Sequence, residues 1–149
     1  MEGQSWVAAA VVAVVSAVVF VLIFRLLRHR RGRLDAVDGM EGHDFEHFCA
    51  ELLVKQGFGD VAVTKGSGDY GVDILAERDG ITYAFQCKCH SEAVGIRAVQ
   101  EVYAGRDYYD CMVGVVLTNQ YFTTPAVNAA KKLKILLWDR EYLESMMEE

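Results

Sequence analysis

Three polar residues, Asp73, Gln86 and Lys88, carry the side chains of this 149-residue sequence that are best suited to chemistry. Mg²⁺ prefers oxygen ligands and keeps several waters, so one carboxylate and one amide oxygen are sufficient protein ligands for it. A bound Mg²⁺ or Mn²⁺ lowers the pKa of a water and neutralises charge that develops on a phosphate. An ammonium group beside the metal can stabilise the same transition state. The three residues therefore predict metal-dependent hydrolysis of phosphodiester bonds.

Each of these residues also has a purely structural interpretation. Asp73 could cap the start of a strand, Gln86 could belong to a cross-strand polar pair, and Lys88 could be an ordinary lysine at a strand end. Considered singly, the structural interpretation is favoured for each. The catalytic interpretation depends on whether the chain brings all three side chains to one face.

A hairpin is predicted to bring them together. Residues 72–77 and 81–88 are rich in branched and aromatic side chains, and the two runs flank Asp79-Gly80. Asp-Gly between two such runs is the strongest short-range signal for a two-residue hairpin turn. In that register Asp73 lies directly opposite Gln86, with their β-carbons ~5 Å apart. Lys88 is two residues further along and points to the same face.

The other segments predict an α/β domain. Hydrophobic residues recur at helical or strand spacing in alternating segments, which indicates a mixed sheet with helices on its faces. Helices are predicted at 45–53, 95–108, 124–132 and 142–147, and further strands at 61–65, 112–117 and 134–138.

Two further metal ligands are expected near the hairpin. The backbone carbonyl of Cys87 lies between Gln86 and Lys88 and could supply a third oxygen. A second carboxylate would have to come from the first helix of the domain. On a helical wheel Glu46 lies about 90° from the centre of the apolar face, nearer than the other acids of that helix.

Several motifs in order resemble one nuclease family. They are residues 41–53, Gly68-Asp69-Tyr70-Gly71-Val72-Asp73, Phe85-Gln86-Cys87-Lys88, 94–103, Val116-Leu117-Thr118-Asn119 and Phe122-Thr123-Thr124-Pro125-Ala126. Residues 38–143 are similar to the Mrr-type restriction endonuclease catalytic domain of the PD-(D/E)xK superfamily. The resemblance implies a restriction-endonuclease-like fold with an αβββαβ core and metal-dependent cleavage of DNA.

The same resemblance assigns roles to residues. It implies that Asp73, Gln86 and Lys88 form the core site and that Glu46 is the helix carboxylate. Glutamine at position 86 replaces the acid more usual in the superfamily, which should weaken metal affinity. Gln100 matches a helix position that contacts the site or the DNA.

The N-terminal segment predicts a membrane anchor. Residues 6–24 are 19 residues long with Ser16 as their only polar member, and as a helix they would span roughly 28 Å. Trp6 marks one boundary. At the other lie five arginines, which would bind lipid headgroups: Arg25, Arg28, Arg30, Arg31 and Arg33.

These charges also predict the orientation and the domains. The positive-inside rule places the N-terminus outside and the rest in the cytoplasm, at the plasma membrane of a bacterium. A cleaved signal peptide is disfavoured because its charges would precede the apolar segment. The expected division is an anchor at 1–24, a basic collar at 25–37 and the nuclease domain at 38–149.

The charge of the remaining chain argues against strong DNA binding. Residues 34–149 carry 10 basic and 20 acidic side chains, a formal net charge of −10. DNA affinity comes largely from neutralising phosphates, so it should be modest, and a homodimer is one assembly that would raise it. Lys65 and Arg97 are candidate DNA contacts. Two alternatives stay open: a catalytically silent nuclease fold that binds DNA or protein, and a membrane scaffold for protein partners.

Overall fold

The computed structural model describes residues 3–65 and 70–148; within the first helix, side chains are described only at 10–25 and from residue 34 onward. The described elements are α1 (Gly3–Asp38), α2 (Gly42–Lys55), β1 (Gly59–Val63), β2 (Ile74–Arg78), β3 (Ile81–Lys88), α3 (Ile96–Tyr108), β4 (Val113–Thr118), α4 (Thr124–Leu133), β5 (Ile135–Trp138) and α5 (Arg140–Met146). The chain divides into two compact units, Met1–Asp35 and Ala36–Glu149.

The first unit contains α1 up to Asp35, and α1 continues through the predicted anchor and the predicted collar. The described side chains at positions 10–25 are exposed, including the large apolar Phe20 and Phe24. Within the described part of the chain, no helix has both the length and the apolar character needed to cross a bilayer. Trp6 and the four collar arginines after Arg25 lie outside the described side chains.

The second unit is built on a five-stranded sheet in which the strands follow their order in the sequence. The strands β1, β2 and β3 pair antiparallel, whereas β3, β4 and β5 pair parallel. Parallel neighbours need a crossover connection, and α3 and α4 supply the two crossovers. The predicted mixed α/β sheet is therefore confirmed. The predicted strand at 61–65 begins two residues earlier, at Gly59.

Helices cover both faces of the sheet. On one face, α2 and α5 pack against the strands, and Phe45 and Phe85 are fully buried there. On the other, α3 and α4 pack around Val99 and Val116. Successive residues of a strand point to opposite faces, so Gln86, which pairs with Val116, lies on the α3 and α4 face.

Candidate active site

The hairpin has the predicted register. Arg78 pairs with Ile81, and the pairing continues in step to Ile74 and Phe85. Both turn residues, Asp79 and Gly80, have positive φ values of 56° and 76°, as a two-residue type I′ turn requires. A slip of one residue would have moved every side chain to the other face, so this register fixes which polar groups meet.

Asp73 lies at the end of the hairpin and is oriented by its neighbours. It is 7% exposed, and its carboxylate Oδ2 accepts a hydrogen bond of 2.6 Å from the backbone N–H of Cys87. The same oxygen accepts a second hydrogen bond of 2.5 Å from Nε2 of Gln86. The backbone N–H of Thr64 donates to the carbonyl of Asp73 at 2.9 Å, which ties β1 to the strand start. The carboxylate is thereby fixed before any ligand binds.

Gln86 is the second polar residue of the hairpin and is 4% exposed. Its Nε2 is bonded to Asp73, which matches the structural interpretation of a cross-strand polar pair. Its Oε1, however, is buried without a hydrogen-bond partner among the described residues. An unpaired buried acceptor typically costs about 1–3 kcal/mol. The amide therefore carries an oxygen that an electropositive ligand would satisfy.

Lys88 pairs with a residue that sequence reasoning missed. Its Nζ lies 3.1 Å from Oε2 of Glu101, a residue of α3, and Nε of Arg97 donates to the other Glu101 oxygen at 3.0 Å. A signal for Glu101 was present in the sequence. It stands three residues after Ala98 and four before Gly105, both buried, so a carboxylate occurs beside the buried face of α3.

These side chains line one cavity of 270 Å³, formed by Gly71, Asp73, Gln86, Lys88 and Glu101. Gly71 lets the loop backbone approach α3 closely. A Cβ built there would lie 2.8 Å from Cβ of Glu101, and the φ of Gly71 is +78°. The structure thus brings together Asp73, Gln86 and Lys88 as predicted, and adds a second carboxylate to them.

A second cavity of 400 Å³ adjoins the first. Both are lined by Lys88 and Glu101, and the second is also lined by His90, Arg97 and the start of α3. Its charged lining contains two permanent cations and one carboxylate. An anionic group in this second cavity would meet more positive than negative charge.

Two buried polar residues hold the end of β3 in place. The Oγ1 of Thr118 donates to the carbonyl of Lys88 at 2.7 Å. The Asn119 side chain accepts from the backbone N–H of His90 at 2.9 Å and donates to its carbonyl at 3.0 Å. Thr118 and Asn119 are both fully buried. Their polar groups therefore position the strand that carries Lys88.

Glu46 lies on the helix that packs on the opposite face of the sheet. Its carboxylate is 3.1 Å from Nδ1 of His43, and it is not among the described residues that line the cavity. The pKa of the Cys87 thiol is raised well above its usual range, first by a hydrogen bond with Cys49 and by burial, and also by the negative charges of Asp73 and Glu46. Glu46 is therefore near β3, while the carboxylate that lines the cavity beside Asp73 belongs to α3.

The candidate DNA contacts are dispersed. Lys65 and Gln100 are exposed and do not line either of the two cavities, whereas Arg97 lines the second one with a side chain that is 89% exposed. The structure thus places one of the three beside the candidate site. Lys65 lies in the segment after β1.

The donor set suits a hard cation. Among the residues whose side chains the structure describes, no cluster of three or more His, Cys, Asp or Glu could hold a metal ion. Mg²⁺ requires fewer, because it takes one or two carboxylates with neutral oxygens and water. The Asp73 carboxylate and the unpaired Oε1 of Gln86 meet that requirement, and the carbonyl of Cys87 stays a predicted third ligand.

Comparisons with known proteins give a matching family and similar solved structures. Residues 37–147 match the family Mrr_cat, described as restriction endonuclease. No curated protein matches the chain. Among solved structures, a protein of unknown function, AF1548, is similar with a TM-score of 0.64 and 24% identity. The alignment covers 72% of this chain and 66% of the AF1548 chain.

Two restriction endonucleases share the fold. The DNA modification-dependent enzyme AspBHI gives a TM-score of 0.59 at 14% identity over 79% of this chain. MspJI, solved in complex with a 27-mer oligonucleotide, gives 0.60 at 19% identity over 80% of this chain. The chain covers 34% of AspBHI and 30% of MspJI, about one third of each, and just under two thirds of AF1548.

Proposed function

Because the chain belongs to the Mrr_cat family of restriction endonucleases, we propose that it is a divalent-metal-dependent endonuclease that hydrolyses DNA phosphodiester bonds. One observation carries this proposal. Asp73, which precedes β2, and Gln86 and Lys88 of β3 line the same cavity. An unpaired amide oxygen that is buried beside Asp73 costs stability, so its presence there supports a functional role.

Each residue has a distinct task in the proposed reaction. Asp73 and Gln86 would hold Mg²⁺ or Mn²⁺, with the carbonyl of Cys87 and the carboxylate of Glu46 as further predicted ligands. The metal would supply an acidified water and neutralise charge on the phosphate. Lys88 would donate hydrogen bonds to a non-bridging phosphate oxygen, where negative charge grows in the transition state. Its anchoring through Thr118 and Glu101 keeps the ammonium at the cavity.

DNA is the proposed substrate, although the charge of residues 34–149 is −10. Lys88 and Arg97 give the second cavity two cationic side chains against one carboxylate, which supports local binding of a DNA backbone there. Gln100 and Lys65 are proposed as outer contacts. A homodimer would double this limited cationic surface, and binding should weaken steeply with salt. The solved complex of MspJI with an oligonucleotide concerns a protein of the same fold.

A cleavage assay tests this proposal. Full-length protein is incubated with supercoiled, linear and modified DNA in Mg²⁺, Mn²⁺ or EDTA. We expect cleavage that EDTA abolishes, and near-complete loss in Asp73→Ala and Lys88→Ala. Asp44→Ala and Lys132→Ala are matched controls, because both residues are exposed and line neither cavity, and they should keep full activity. Cleavage that survives both EDTA and Asp73→Ala would exclude the mechanism.

A silent binding module is the second candidate function. The net charge of −10 and the existing ion pair between Lys88 and Glu101 favour it, because both disfavour an incoming phosphate. This candidate predicts that the wild type cuts none of the DNA forms. It also predicts that partner binding in a pull-down is unchanged in Asp73→Ala.

We further propose that residues 6–24 tether the protein to the bacterial plasma membrane, with the collar arginines at the cytoplasmic headgroups. The apolar run and the one-sided arginines of the sequence support this. A reporter enzyme that functions only in the cytoplasm should be active when it is fused after Glu149. An active, exported phosphatase at that position would refute the orientation.

A further inference from the structure

We propose that Glu101 is a positioning residue for the cleavage reaction, which holds the Lys88 ammonium at the catalytic cavity and is itself held by Arg97. The two oxygens of its carboxylate are divided between these partners: Oε2 lies 3.1 Å from Nζ of Lys88 and Oε1 lies 3.0 Å from Nε of Arg97. This inference rests on the proposed nuclease function and deepens it.

The burial of the pair separates it from an ordinary surface ion pair. The side chains of Lys88 and Glu101 are 26% and 30% exposed, whereas that of Arg97 is 89% exposed. Partly buried charges are screened less by salt and water than exposed ones. A lysine has a long flexible side chain with large rotamer entropy, so a fixed partner is needed to keep its ammonium in one place.

Glu101 itself is held rigidly enough to serve as that partner. Its neighbours in α3, Val99 and Val102, are fully buried. The loop backbone at Gly71 packs directly over it, with room for hydrogen but not for a Cβ, which would lie 2.9 Å from the Glu101 carbonyl. A residue with both its helix and its overlying loop fixed can orient a mobile side chain.

Geometry favours positioning over metal ligation. Both Glu101 oxygens already bind cationic groups, whereas the unpaired oxygen in the site belongs to Gln86. Glu101 would set where the Lys88 charge lies relative to Asp73, and a displacement of about 1 Å in an active site can lower turnover by about 10²-fold.

Steady-state kinetics of the full-length protein tests the expected effect of Glu101 on DNA cleavage. We expect Glu101→Gln to lower kcat by about 10²-fold, with KM for DNA and the Mg²⁺ half-saturation changed by less than about threefold. Glu101→Asp keeps the charge and should recover part of kcat. Asp107→Asn is the matched control, because it also removes one negative charge from α3, at a residue that pairs with Arg106 and lines neither cavity, and it should leave kcat unchanged.

Three outcomes of these assays would overturn the inference. An unchanged kcat in Glu101→Gln would mean that Lys88 needs no partner. A raised kcat would mean that Glu101 blocks Lys88. A Mg²⁺ half-saturation raised by more than about tenfold would make Glu101 a metal ligand.

A readout without catalysis keeps the inference distinct from the proposed function. The protein has six lysines, so ¹³C-lysine NMR resolves few signals, and Lys88→Arg identifies the one of interest. We expect the Lys88 ε-carbon order parameter to fall in Glu101→Gln to the range of the exposed lysines. An unchanged order parameter would overturn the inference even if the enzyme is active. A wild type that cuts no DNA would refute the nuclease proposal, while the NMR result would still decide whether Glu101 holds Lys88.

Discussion

Replacing Gly71 with alanine tests how tightly the site loop is packed against α3. The φ of +78° is unfavourable for any residue with a Cβ and typically costs roughly 1–2 kcal/mol. The new Cβ would also lie 2.8 Å from Cβ of Glu101 and 2.9 Å from its backbone carbonyl. Overpacking of this kind usually costs about 1–3 kcal/mol, so the total loss of stability should be about 2–5 kcal/mol.

Gly80 provides the matched control. Its φ is +76°, nearly the same, but its Cβ would meet nothing within 4 Å among the described residues. Gly80→Ala should therefore cost only the backbone part, about 1–2 kcal/mol. Urea denaturation of both full-length variants at one pH measures the difference. The reduction in unfolded-chain entropy on replacing glycine is common to both and cancels.

The comparison has a clear refuting result. If Gly71→Ala and Gly80→Ala lose the same free energy of unfolding to within about 0.5 kcal/mol, the loop does not press on α3 as described. Gly71→Ala should also reduce cleavage more than Gly80→Ala under conditions where both are folded, because the displaced neighbour is Glu101. Equal cleavage activities of the two variants would show that the loop contact does not affect the reaction.

Further predictions concern the metal, pH and folding. Gln86→Glu places a second carboxylate beside Asp73, so EDTA should lower the Tm of this variant more than that of the wild type or of Gln86→Met; equal shifts would argue against a metal here. A hydrogen bond from the Arg140 guanidinium holds the pKa of Asp38 below its ordinary value of 3.8. The stability from this pair is thus present above that value and lost as pH falls through the folded-state pKa, so Asp38→Asn should destabilise at pH 7 and its effect should shrink as pH falls below 3.8 in urea titrations. A fragment of residues 34–149 should unfold cooperatively, and a broad, non-cooperative melt would show that this boundary is misplaced.

The hairpin could be predicted from the sequence because its geometry is local. The Asp79-Gly80 turn fixes the register, and the register fixes that Asp73 meets Gln86 on the side of Lys88. Helical spacing likewise predicted the buried face of α2, which consists of Phe45, Cys49, Leu52 and Leu53. These inferences use only residues that are close in sequence or that pair directly across a turn.

The rest of the site depends on which helix packs on which face of the sheet. A helical wheel showed which side of α2 is buried but not that this side covers the face opposite Gln86. Glu46 therefore stays a prediction as a metal ligand, because the wheel carries no information on the distance between its carboxylate and Asp73. Glu101 was overlooked because its position beside Lys88 arises from the crossover from β3 to β4. The inward hydrogen bonds of Asn119 depend on the same long-range packing.

The bidentate ion pair between Asp38 and Arg140 joins residues 102 positions apart, with oxygen–nitrogen distances of 2.8 and 3.0 Å. The pair therefore closes a loop of chain that contains all five strands of the sheet. Closing a loop of this length costs chain entropy that one ion pair does not offset, so the pair should form only after the sheet has brought its two ends together.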